Sequence, residues 1–487
     1  MKNKCKTFFL LTSFFFTACQ YDFPELPSNE PTPGNADFSK MISVGNSITA
    51  GYMDAALYNR GQQNSFPVIL ADQLKLVNGG EFNIPDINSE NGFYTMGPNG
   101  PLGRLILTID PATGNATPEP IGPGDIPMAY TGEVSQLNNF GVPGITLGLA
   151  LTPLTGGPNS EQNPAFNPLY ARFASDPGTS TVIGDAAMAL ANGGTFFTFW
   201  LGANDVIGYA VGGASNPAIL TSDADFQSQF TAALGTILNA NSNAKGVVVN
   251  IPNINILPHF NLVPINALPL SETEANQANL SYALYNGGLA QAASNGLISQ
   301  EEMQYRTITF ETGQNPFVME DESLTDLSIL GLPSIRQSKE SDKTVLALSQ
   351  TLGMPSSQNP QGIRGLTFPV EDRFILIPDE QKEIMAKINS FNSYIEAAVN
   401  SNSDRLVMVD AAQLVEQATA GNLNAGGVSL TNSIIPPTGG ISLDGIHPNG
   451  RGNAFLTNLI IENINSKWNA NIPRVNPNAY VGNDLPQ

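Results

Sequence analysis

Short apolar runs along this chain alternate with segments of helical spacing. Met41, Ile42 and Val44 make one run, which stops at Gly45. Thr195 to Asp205 (TFFTFWLGAND) is the most continuous, and Gly246 to Ile251 (GVVVNI) and Leu406 to Val409 are two more. Runs this short, apolar on both faces and bounded by turn residues, predict strands buried inside a parallel sheet. Between them, Phe226 to Leu238 repeats apolar residues at helical spacing, and Asp379 to Val399 does so through Ile384, Ile388, Phe391 and Ile395. Both predict helices with one buried face. Ser65 to Leu76 shows the spacing more loosely, and Asn453 to Trp468 predicts a final helix. This succession predicts an α/β fold, with a central parallel sheet and helices on both faces.

Two stretches break the rhythm. Residues 78–131 are rich in Gly, Pro and Asn (GPNGPLG, IGPGDIP), and residues 252–373 mix polar and apolar segments around an acidic cluster at Glu320 to Glu322. They predict two large loop insertions, the first shaping access at the face of the site and the second forming an insertion or small cap. The folded region is expected over 38–470, after a Pro-rich tether at 20–37 and before a tail at 471–487.

At the amino end, Lys2, Lys4 and Lys6 precede the apolar stretch Phe8 to Phe16, and Thr17-Ala18-Cys19 offers a small-residue processing site. This segment (1–19) resembles a bacterial lipoprotein signal with its lipobox, with Phe16 standing where such signals usually carry an aliphatic residue. The resemblance implies a lipid on Cys19 and a membrane-anchored protein of the cell envelope. Gln20, in place of the aspartate that retains many lipoproteins at an inner membrane, favours the outer one. Cys5 and Cys19 are the only cysteines, so a chain beginning at Cys19 has no thiol left for an internal disulfide. Loss of the three lysines would take the formal charge from −21 to −24. So acidic a body, with no basic stripe, excludes nucleic acid as a partner and is repelled by anionic membrane surfaces, which leaves the lipid as the attachment.

Candidate chemistry gathers at the ends of the apolar runs. Ser47 sits in a turn directly after the run ending at Gly45, where a parallel sheet delivers side chains to its carboxyl edge; it is the nucleophile candidate, although Gly-x-Ser is also an ordinary turn. In NNFGVPGITLGL, Gly144 stands between Pro143 and Ile145, so a bare backbone N–H there can face the site. Asn204 and Asp205 close the aromatic run and can serve either the site or the cap of the next segment. The chain has two histidines. His259 has no acid near it in sequence and reads as structural or loop-lining, whereas His447 has Asp444 three residues before it, able to hold Nδ1–H and leave Nε2 facing a hydroxyl.

In order, GNSIT, NFGVPG, GAND and DGIHP resemble the four sequence blocks of the SGNH (GDSL-type) hydrolase superfamily, over roughly Phe38 to Trp468. The resemblance implies a flavodoxin-like three-layer α/β/α sandwich and hydrolysis of carboxylic esters by an esterase or lipase. Ser47 would be the nucleophile, Asp444 and His447 would complete the triad, and the Ser47 and Gly144 N–H groups with the Asn204 amide would form the oxyanion hole. One departure is Gly45-Asn46-Ser47 where the family usually has Gly-Asp-Ser; an amide can still shape the turn but brings no charge beside the serine. No metal or cofactor is expected, because no His, Cys or carboxylate spacing suits a zinc site. Two other readings stand beside this one: a carbohydrate O-acetylesterase with the same machinery, and a non-catalytic glycan-binding surface lipoprotein.

Overall fold

Five of the strands lie side by side, all parallel, at the centre of the protein: β1 (Met41–Gly45), β2 (Asn139–Gly141), β3 (Phe196–Trp200), β4 (Lys245–Val249) and β5 (Leu406–Val409), in the spatial order β2-β1-β3-β4-β5. The computed structural model describes residues 30–109, 116–356 and 358–485. The expected signal, Cys19 and the first part of the tether lie outside the described residues.

Alternate residues of each strand feed two cores. Ile42, Val44, Phe197, Phe199 and Val248 pack on one face against the helices Val182–Ala191, Asp223–Ala240 and Pro378–Asn400. Met41, Phe196, Trp200, Val247 and Val249 pack on the other against Phe66–Lys75 and Gly450–Trp468. The result is a three-layer α/β sandwich. Within the second core Thr198 gives its hydroxyl proton to Ser43 on the neighbouring strand (2.9 Å), so the two polar residues of the inner strands satisfy one another.

The insertions are more ordered than their sequences imply. In 78–131 the chain forms two antiparallel hairpins, Thr95–Gly97 with Gly100–Leu102 and Leu105–Ile109 with Ala116–Pro120. The second insertion is a folded body rather than a loop. Its helix Glu272–Ser294 buries Ala275, Ala278, Tyr282, Tyr285 and Leu289 in a core of its own. Beside that core a fully buried Arg336 is pinned between Asp321 (2.5 Å) and Asp342 (2.6 Å). Nor do the described parts of the expected tether (30–37) and tail (471–485) hang free. Thr32 and Asn471 exchange backbone hydrogen bonds, and Ile472 and Val475 are buried with their backbones held by the side chains of Asn465 and Asn458. Short apolar residues separated by Pro and Asn carry no period, so such packed segments read as linkers.

Candidate active site

β1, β2 and β3 end at one edge of the sheet, and each hands over a turn there. After Gly45 the chain enters a helical turn, Ser47–Ala50, capped by Asn46, whose side chain accepts the Ile48 N–H (3.0 Å). The Asn46 amide therefore shapes the turn. That turn lies hard against its neighbours: a Cβ on Gly45 would stand 2.1 Å from Thr49 Oγ1 and 2.9 Å from the Trp200 carbonyl. Only glycine lets the serine come this close to the sheet.

The loop after β2 is held from four sides. Val142 N–H bonds Gly45 O (3.0 Å), Asn167 Nδ2 bonds Pro143 O (2.8 Å), Asn204 Nδ2 bonds Ile145 O (2.8 Å), and Asp205 accepts the Leu147 N–H (3.0 Å). At its apex Gly144 is exposed, with φ +75°, a conformation side chains resist. Among the described residues neither the Ser47 nor the Gly144 backbone N–H has an acceptor in the protein. Asn204, the first residue of the helix after β3, spends one amide proton on Ile145 and keeps the other. Burial pushes Asp205 up to about 6, against the N–H of Leu147 and the hydroxyl of Thr221, which favour its charged form.

The loop preceding the last helix brings the third group. His447 Nε2 lies 2.8 Å from Ser47 Oγ, and its Nδ1 lies 2.9 Å from Asp444 Oδ2. Four hundred residues of sequence separate the serine from the histidine, and all three side chains are buried. Asp444 Oδ1 accepts the N–H groups of Ile446 (2.8 Å) and His447 (2.9 Å), while Oδ2 also accepts the Ala55 N–H (3.0 Å). Burial alone would raise this carboxyl. The imidazole beside it and these backbone N–H bonds outweigh burial and hold it well below the usual carboxylate range.

Several supporting groups left no mark in the sequence. Ala55 reaches Asp444 because it and Asp54 both adopt left-handed backbone, φ 61° and 54°. Asp54 in turn accepts from Leu443 N–H (3.0 Å) and Tyr58 OH (2.6 Å). The Tyr52 ring stands 5.0 Å from the His447 ring. His259 does not touch Ser47 but braces the acid's loop: its Nδ1 lies 3.0 Å from the Asp444 carbonyl and its backbone N–H bonds Gly445 O (3.0 Å). The bonds from these groups to the acid's loop leave no local signal because they span 185 residues from His259 and 389 from Asp54 and Ala55. Of the supporting residues, Asp205, beside Asn204, and His259, as a structural or loop-lining residue, are visible in the sequence.

Two hollows are lined by residues that follow Ser47 in the chain, Tyr52 in one and Ile48 in the other. One, about 410 Å³, has Tyr52, Pro143 and Asn167 in its wall together with Phe93, Tyr94 and Ile126 of the first insertion. The other is apolar and is described below. Elsewhere, Glu322, Asp372 and Glu380 bring carboxylate oxygens within 4.8 Å of one another; burial, together with the neighbouring charges, pushes Glu380 up to about 8 and Asp372 up to about 6. No group of that cluster belongs to the Ser47 site.

No protein-family model matches the chain, and no curated protein matches it. The site itself offers a hydroxyl within reach of an imidazole nitrogen, a carboxylate fixing that imidazole, and unclaimed N–H donors on the neighbouring loops.

Proposed function

We propose that this chain is a serine ester hydrolase of the SGNH type, working through an acyl-enzyme. The observation that carries the reading is the unbroken line Ser47 Oγ–His447–Asp444, with contacts of 2.8 and 2.9 Å. A serine hydroxyl is a poor nucleophile until a base takes its proton, a contribution of about 10²–10⁴ in rate. His447 Nε2 is the base within reach. Asp444, taking four hydrogen bonds as a pure acceptor, keeps the Nδ1 proton on the far side of the ring and stabilises the imidazolium that forms.

Attack of Oγ on the ester carbon leaves negative charge on the carbonyl oxygen. The donors suited to it are the unclaimed N–H groups of Ser47 and Gly144 and the remaining proton of Asn204, each worth about 10²–10³ in rate in such sites. His447 then returns its proton to the departing alcohol, and water, activated by the same base, releases the acid and frees Ser47.

The strand order β2-β1-β3-β4-β5 is the order of flavodoxin-like sheets, which supports that finer description of the fold. Lipid attachment at Cys19 and residence in the outer membrane belong to the same proposal, carried by the sequence of the first nineteen residues. Among the described residues no helix is long and apolar enough to cross a membrane.

The test is a panel of p-nitrophenyl esters and acetylated glycans run with the purified protein beside Ser47→Ala, together with labelling by a fluorophosphonate probe. Loss of at least about a thousandfold in kcat/KM and of labelling is expected for the variant. Equal activity in both proteins would remove Ser47 from its role, and absence of any serine-dependent activity or labelling would leave the glycan-binding reading in its place.

A further inference from the structure

At the ends of β3 to β5 lies a pocket of about 90 Å³ with walls almost wholly of carbon. Four of its wall residues are immediate chain neighbours of the site: Ile48 follows Ser47, Ala203 precedes Asn204, and Ile446 and Pro448 flank His447. The far elements that complete it are the helix Ala411–Thr419, through Leu414 and Ala418, and the hairpin ending at Leu430. Asn432 also lines the pocket, but its amide protons are committed to Ile256 O (2.7 Å) and Thr419 Oγ1 (2.9 Å).

We infer that this pocket receives the acyl chain of the substrate and sets its length at about four carbons beyond the carbonyl, since a cavity of about 150 Å³ takes the six carbons of benzene. The inference rests on the serine hydrolase reading. A hollow with walls of this kind favours hydrocarbon over water. Its wall includes the chain neighbours of the nucleophile, the base and the Asn204 donor, and the acyl group is the part of an ester that stays on Ser47 between the two half-reactions. Its walls therefore bear on both. Each methylene that enters adds about 0.8 kcal/mol, a rise of about fourfold in kcat/KM, until the pocket is full.

The experiment measures kcat/KM for p-nitrophenyl esters from acetate to octanoate, and separately for acetate esters of ethanol to hexanol. Wild type is compared with Ala418→Met, which fills the pocket, and Leu414→Ala, which enlarges it at a half-buried position. The acyl series should climb about fourfold per carbon and break near four carbons beyond the carbonyl. Ala418→Met should move the break to shorter chains, and Leu414→Ala to longer ones. Identical profiles in all three proteins, or a response confined to the alcohol series, overturn the inference.

A second readout does not need turnover. Trp200 lines the pocket and is one of two tryptophans, so 1-bromobutane should quench its fluorescence saturably in Ser47→Ala, and the Ala418→Met change should abolish saturation. Saturable quenching without serine-dependent hydrolysis of any ester sinks the hydrolase reading and, with it, the pocket's role as a gauge of acyl length. Serine-dependent hydrolysis with only linear quenching and an unmoved chain-length profile sinks the pocket alone.

Discussion

Asp444→Asn isolates what the carboxylate contributes, because the two side chains have nearly the same shape. In the native protein both oxygens only accept: Oδ1 takes the N–H groups of Ile446 and His447, and Oδ2 takes Ala55 N–H and His447 Nδ1. An amide has one acceptor and one donor. Its oxygen will face the two backbone N–H groups of the tight turn, which cannot turn away, and its Nδ2 will then face Ala55 N–H and His447 Nδ1. The ring can answer only by moving its proton to Nε2. In that tautomer it presents N–H to Ser47 Oγ, 2.8 Å away, and cannot take the hydroxyl proton. The same exchange in serine triads lowers kcat by about 10⁴, which is about 5.4 kcal/mol of transition-state stabilisation. The stranded Ala55 N–H adds a stability loss of about 1–3 kcal/mol. The assay is kcat and KM on a short p-nitrophenyl ester, with urea denaturation of the same preparation. KM should move little. Activity within tenfold of wild type in a protein of unchanged stability would refute the reasoning, since it would mean that the orientation of His447 does not depend on Asp444.

Asn204→Ala should lower kcat by about 10²–10³ with a small change in KM, as expected for a donor used only when charge develops; a change confined to KM would argue against that use. His259→Ala should lower kcat through a looser Asp444 loop, whereas His259→Asn, able to donate to the Asp444 carbonyl, should recover most of the loss; equal defects in both would mean that the bond is not what matters. For pH, Glu380 is pushed up to about 8 from an ordinary 4.5, so the native state keeps a proton that the unfolded chain has released. Stability from this group is full below about pH 4.5 and is lost as pH rises through 8; Tm should fall over that range, and Glu380→Gln should flatten the fall. A Tm profile unaffected by Glu380→Gln would show that the cluster carries no such proton.

Four of the five central strands were legible because each is a short apolar run bounded by turn residues, and the helices Asp223–Ala240 and Pro378–Asn400 because large apolar residues recur on one face; the edge strand Asn139–Gly141, with Phe140 as its one large apolar residue, was not. The helix Glu272–Ser294 was not. Its buried stripe is built from alanines and tyrosines, which mark a face weakly, while Leu280 and Leu284 stand 76% and 88% exposed on the wrong side and scramble the period. At the site, residues whose partners lie within a few positions, such as Asp444 and His447, announce themselves. Ala55 and His259 act on the same acid from other parts of the chain, and nothing local marks them.

Ala55 has one more neighbour to answer to. Its methyl group lies in a small core with Leu105 and Leu107 of the first insertion and Leu443 of the acid's own loop, and Leu105 N–H is bonded to Asp54 O (2.7 Å). The hairpin formed by Leu105–Ile109 and Ala116–Pro120 is thus bolted to the backbone that steadies the acid, and remodelling it would also disturb the hold on Asp444. On that flank the first insertion cannot be altered without touching the backbone that holds Asp444. The opposite flank, where the Leu414 helix stands apart from the acid's hydrogen bonds, is where a directed-evolution campaign should begin.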